Sequence, residues 1–288
     1  MPESGNLHNN IYVALYILPL IIDKVLSMGF RNRFKGAFDS SQKKDDDSKS
    51  QENIRNFKYL SNLLESGKKE VILDSDITLS DGEEEEYFNG IRLDADDVII
   101  DGDGHSIDAA GKARIFKVAG ENIQLKNITF MNGSSGEGGA IYVDNFARAE
   151  IMDCVFKDNS ADKNGSALIN LGEIDLKGVE FAQNNSIGGG TLYNEVVGKV
   201  ALTGCSFTDN TSQHGSGAFI NFGKARFDDV KLERNTSQEG GGGAVNNQKG
   251  GSIKMTDSSF TDNASRTGGG ALINYGKVTL NSVNFAGN

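Results

Sequence analysis

Tryptophan is absent from this 288-residue chain, proline and cysteine occur twice each, and the longest apolar run is twelve residues. The near-absence of proline excludes collagen and proline-rich linkers, although 36 glycines amount to one residue in eight. Two cysteines cannot build a disulfide framework or a structural zinc site. Cations are also scarce, 29 against 40 acidic residues for a net charge of −11. Phosphate contacts need Lys and Arg, so nucleic acid is not expected as a partner, and neither is an anionic membrane surface. A bilayer span takes about twenty apolar residues, so no clear membrane span is expected. The length fits one or two domains with ample chain for a core.

The apolar run Ile11 to Ile22 has the length of a secretory signal core. It lacks a basic residue before it and a small-residue cleavage site after it. Residues 1–27 therefore read as a signal or anchor, as an interfacial helix, or as an extension upstream of a start at Met28, where MGFRNRFKGAF forms a basic amphipathic N-terminus. A polar linker occupies 28–50, with DSSQKKDDDSKS at its end. Over 51–67, Ile54, Phe57, Leu60, Leu63 and Leu64 repeat at helical spacing. Ser50 is the expected N-cap, Glu52 falls in the first turn and Gly67 ends the helix. Its apolar stripe is expected to cover the end of the domain over 70–288.

From Val71 the period changes to two, through Val71–Leu73, Ile77–Leu79, Ile91–Leu93 and Val98–Ile100, separated by Asp and Gly turns. Glu83 to Glu86 is expected to be an exposed loop. From Phe130 the chain repeats itself. Phe156-x-x-Asn159, Phe181-x-x-Asn184, Phe207-x-x-Asn210, Leu232-x-x-Asn235, Phe260-x-x-Asn263 and Phe285-x-x-Asn288 alternate with small-residue elements such as Gly139-Ala140-Ile141 and Gly243-Ala244-Val245. The spacing from Phe130 onward runs 26, 25, 26, 25, 28 and 25 residues. Self-similarity at that period means a solenoid. No helical stripe runs through the repeats, which leaves an all-β parallel β-helix of about nine coils with three strands per coil, stacked at about 4.8 Å.

Stacking predicts what each repeated residue does. The Phe column is interior. Asn159, Asn184, Asn210, Asn235, Asn263 and Asn288 form a side-chain ladder at one turn. Asn170, Asn194, Asn221, Asn247 and Asn274 form a second ladder, with Asp144-Asn145 out of its register. Cys154 and Cys205 lie two coils apart, roughly 9.6 Å, which is too far for a disulfide. They are expected to be free and buried.

Little in the sequence points to chemistry. Asp94, Asp96, Asp97, Asp101 and Asp103 are the one dense acidic cluster, and Asp101-Gly102-Asp103-Gly104 makes Asp101 and Asp103 the calcium candidates, without the further ligands of a calcium loop. His105 reads as a turn residue. Asp228-Asp229 resembles the paired carboxylates of pectin hydrolases but falls at a strand edge, and His214 has no carboxylate at a meaningful spacing. Glycosylation sequons fall at Asn127, Asn132, Asn164, Asn184, Asn210, Asn235 and Asn263, four of them ladder positions that cannot accept a glycan. No catalytic residue, cofactor or nucleophile motif is assigned.

Gly138-Gly139-Ala140-Ile141 alternating with Phe-x-x-Asn resembles the repeat of polymorphic outer-membrane proteins. Residues 91–133 are similar to the entry coils of adhesin-like proteins of methanogenic archaea, which have a pectate-lyase-like β-helix, so the resemblance implies that the parallel β-helix is right-handed. The resemblance implies a non-catalytic, adhesin-like protein at the cell surface or outside the cell, with a surface glycan or a cell-surface protein as partner. A start at Met28 would instead imply the cytoplasm. Two other functions remain open: a polysaccharide lyase or glycoside hydrolase on the same fold, and an assembly module that self-associates end to end through its last coil.

Overall fold

The computed structural model describes residues 55–288. The apolar run at 11–22, Met28, the linker, Ser50 and Glu52 lie outside the described residues. A helix, α1 (Phe57–Glu65), is followed by a parallel β-helix built of four sheets. The first sheet has nine strands, from Glu70–Ile72 to Lys277–Asn281, and the second has nine, from Ile77–Thr78 to Asn284–Ala286. The third has six two-residue strands, from Ser134–Ser135 to Ala264–Ser265, and the fourth has eight, from Ile91–Leu93 to Leu272–Asn274. Eight turns are complete, and a ninth adds strands to the first two sheets. The third sheet corrects the expected three strands per coil. Serine, threonine and asparagine just after the Phe-x-x-Asn element are too short and polar to announce a strand, but they pair in register all the same.

The register is set by burial. Ile100, Leu125, Ile151, Leu176, Leu202, Phe227 and Met255 stack in the first sheet with their side chains fully inside. In the second sheet Phe130, Phe156, Phe181, Phe207, Leu232, Phe260 and Phe285 align rung upon rung. Their rings stack at 4.9, 4.9 and 4.5 Å from Phe130 to Phe207, and at 4.8 Å between Phe260 and Phe285. A slip of one residue would turn every one of these side chains outward. Tight turns in the left-handed region join the first sheet to the second and the second to the third. Asp and Asn fill most of them (Asn127, Asn132, Asp153, Asp158, Asp209, Asp229, Asp257, Asp262), because their short polar side chains tolerate positive φ.

Both asparagine ladders form. Along the first, each Nδ2 donates to the Oδ1 of the next asparagine, at 3.0, 2.9, 3.0, 2.9 and 2.8 Å from Asn159 to Asn288. The second runs at 2.8, 2.8, 2.8 and 2.7 Å from Asn170 to Asn274. It begins at Asn170 because Val143 holds the same register position one coil earlier.

α1 covers the first turn as its stripe implied. Phe57 and Leu60 are buried, and the Phe57 ring meets Tyr87 edge-on at 5.9 Å. The helix is shorter than expected and its N-cap is Asn56: the Asn56 side chain accepts from the Tyr59 N–H at 3.0 Å and ends the helix there. Gly67 follows the helix at φ +80°, as a stop requires. The expected loop at Glu83–Glu86 is instead a single helical turn, α2 (Glu84–Tyr87), and Glu83 is buried. Its two carboxylate oxygens accept from the backbone N–H of Lys58 at 3.1 Å and of Ser80 at 2.8 Å, which locks α1 onto the solenoid.

Cys154 and Cys205 are free and buried, with Val179 between them in the column. Burial pushes the Cys154 thiol up to about 12 and the Cys205 thiol up to about 11. Two results should follow. A thiol reagent should label neither residue in the native protein and both in denaturant. An exposed thiol ionises near 9, so the folded state holds protons that the unfolded state releases above that pH. Stability measured by denaturant titration should therefore be insensitive to the thiols below pH 8 and fall as the pH rises from 9 towards 11.

Candidate binding face

From residue 144 on, the turns that carry the chain from the fourth sheet to the first alternate in length, after two longer ones at 94–98 and 119–122. Four residues (144–147, 195–198, 248–251) and two residues (171–172, 222–223, 275–276) succeed each other rung by rung. The longer turns stand out from the side of the rod and the shorter ones lie between them. Over Leu171-Gly172, between the Phe146 and Val197 turns, this leaves a groove of about 410 Å³. Glu121, Arg148, Glu173 and Lys199 are its charged lining, two carboxylates and two cations. The Glu173 carboxylate is shared, 3.0 Å from the Lys199 ammonium and 3.2 Å from the Arg148 guanidinium. Lys199 first, and Arg148 after it, hold that carboxyl below the usual range.

Two of the long turns carry exposed apolar tips, Phe146 at 85% and Val196 and Val197 at 69% and 61%, whereas the third, 248–251, is polar. Phe146 also sits at φ +70°, the left-handed region, where an aromatic residue is strained. In the turn 248–251 the matching position is Gly250, at φ +91°, the residue that this geometry favours. Sequence reasoning passed over these residues. The signal was present in the alternation of DNFA, LG, EVVG, FG, QKGG and YG ahead of each first-sheet strand.

The sequence-derived candidates fall elsewhere. Asp101 accepts from the Asp103 N–H and the Asn127 amide, both at 3.0 Å, and lies 3.1 Å from the Lys126 ammonium, so its oxygens serve the turn and the next rung. Asp103 occupies the left-handed position of the same turn. Arg92 holds Asp94 through two bonds of 2.9 Å, Asp96 accepts from the Glu121 N–H and Asp97 from the Asn122 amide, so the acidic cluster is rung-to-rung bonding. No three carboxylate, histidine or thiol groups converge as a metal site among the described residues. Asp228 points outward beside Arg226 at 3.3 Å while Asp229 makes the adjoining turn, so the two carboxylates do not act as a pair.

The expectation for His214 is corrected. Stacking places Glu239 of the next coil 2.9 Å from its Nδ1, a contact invisible to linear spacing. His105 likewise has Asp76 of the preceding coil at 3.4 Å. The ladder sequons at Asn184, Asn210, Asn235 and Asn263 are buried. Among the described residues no helix is long and apolar enough to cross a membrane. No protein-family model, curated protein or solved structure matches the chain.

Proposed function

We propose that the chain is a non-catalytic, adhesin-like binding module, and that the edge carrying the four-residue turns meets a carbohydrate on a cell surface. Phe146 carries this reading. An aromatic ring held in solvent on a strained backbone stabilises nothing in the fold, and strain of about 1–3 kcal/mol per residue is characteristic of binding and catalytic positions. A flat apolar ring beside a groove lined by two carboxylates and two cations matches the two faces of a sugar, its apolar C–H side and its hydroxyl edge.

The test is Phe146→Gly. Glycine relieves the left-handed strain, so the variant should unfold at a denaturant midpoint equal to or above that of the parent, with a gain of up to about 1 kcal/mol. It should also lose the signal that the parent gives on a neutral-glycan array. Better stability with weaker binding is the mark of a residue kept for function. A parent that binds no glycan, or a variant that binds as well as the parent, would reject the proposal.

A further inference from the structure

Outward side chains of the first sheet stand in rows fixed by its register. One row reads Arg148, Glu173, Lys199, Lys224, Ser252 and Lys277, and the next reads Glu150, Asp175, Ala201, Arg226, Lys254 and Thr279. Up to Lys199 the cations meet carboxylates on neighbouring rungs: Lys126 meets Asp101, Lys177 meets Glu150, and Arg148 and Lys199 share Glu173. Beyond Lys199 the pairing stops. Lys224 stands directly opposite Lys199, and Lys254 directly opposite Arg226. Among the described residues Lys224, Lys254 and Lys277 have no carboxylate within ion-pair distance, and Arg226 has only Asp228. Asp229 and Asp257 lie in the turns beyond the strand ends, and Glu173 and Asp175 bound the patch on its other side. All five cations are exposed.

Like charges opposite one another on adjacent strands, about 4.8 Å apart, are destabilising. Here they recur on successive rungs of a chain whose net charge is −11. The arrangement becomes favourable once an external anion lies along it. The patch extends over three rung steps, roughly 14 Å, and two residues across, roughly 7 Å. It is long and narrow, with Ser252, Ala201 and Thr279 among the cations, Asp228 and Thr256 along its edge, and no aromatic side chain in its rows. Single-stranded nucleic acid needs aromatic platforms for its bases, and these rows offer none. We infer that the C-terminal half of the first sheet is a docking strip for a sulfated polysaccharide, whose permanent charges recur along a linear chain and whose hydroxyls suit the intervening Ser and Thr.

The inference rests on the reading of the chain as a binding module, but it uses other residues than Phe146. The probe is size-defined heparin, with desulfated heparin and single-stranded DNA beside it, on the full chain. The parent should bind heparin, bind it about tenfold more weakly at 150 than at 50 mM salt if three charges are neutralised, and bind desulfated heparin and DNA more weakly still. Lys224→Ser with Lys254→Ser should weaken heparin binding about tenfold or more, with an unfolding midpoint equal to or above the parent's, because both side chains are exposed and the repulsion across the rungs is relieved. The Arg pair at the same positions should restore it, and Lys163→Ser, away from the strip, should have no effect. Equal binding by the double Ser variant, or DNA bound as tightly as heparin, overturns the inference. Phe146→Gly separates the two sites: heparin binding intact in that variant supports a distinct strip. Glycan binding lost there, with no heparin binding in the parent, sinks the strip alone.

Discussion

Replacing Asn210 by leucine should lower the unfolding free energy by about 4 kcal/mol, since several buried polar groups lose a partner at about 1–3 kcal/mol each. The Asn210 Oδ1 accepts from the backbone N–H of Asn184 at 3.0 Å and from the Asn184 amide at 2.9 Å. Its Nδ2 donates to the Phe181 carbonyl at 2.9 Å and to the Asn235 Oδ1 at 3.0 Å. The residue is wholly buried, so water cannot replace what leucine removes. Leucine keeps the branched outline but is bulkier than the amide, so crowding in the buried site adds to the lost hydrogen bonds. Aspartate is the sharper probe. It keeps the two acceptor contacts but sets carboxylate oxygen against the Phe181 carbonyl and the Asn235 Oδ1, so Asn210→Asp should be at least as damaging at neutral pH. Equilibrium denaturation of both variants is the measurement. A loss below about 1 kcal/mol would mean that the ladder decorates the turn rather than holding it.

Phe181→Ala should cost about 3–5 kcal/mol. Its ring lies between Phe156 at 4.9 Å and Phe207 at 4.5 Å, nearly parallel to both, and nothing else in the coil can fill the space. Phe181→Leu should cost far less, under about 1.5 kcal/mol, since the same column already accepts Leu232 between Phe207 and Phe260. The contrast between the two substitutions, read from denaturant midpoints, tests whether the column needs volume or aromaticity.

The coil register was legible because the side chains that fix it are the ones that repeat. Phe at one place and Asn three residues on mark every turn from 156 to 288, and Leu232 is the one substitution among them. The short third sheet was not legible, because Thr211-Ser212 or Asn185-Ser186 has no propensity of its own and pairs only because its neighbours are already stacked. The cap of α1 was misplaced for a related reason. Ser50 and Asn56 are both good caps, and the choice is made by contacts with the coil: Asn56 reaches Ser80 at 3.2 Å, and the Arg55 carbonyl accepts from the Thr78 N–H. The partners of His105 and His214 lay a coil away, in residues that linear spacing never sets side by side. The candidate binding face was hidden more deeply. Phe146 follows no repeat rule, and only its backbone angle and exposure separate it from the core aromatics.

Alternating turn lengths also decide how such a rod can grow or shrink. Within the stretch from residue 144 on, a single coil could be deleted without breaking either asparagine ladder, yet two turns of equal length would then meet, as 119–122 and 144–147 already do. Deleting or duplicating two coils together, about fifty residues, keeps long and short turns in phase. The heritable module is therefore the coil pair, with a stride of about 9.6 Å along the axis. A lengthened version of this molecule would gain side grooves in integer steps of that stride.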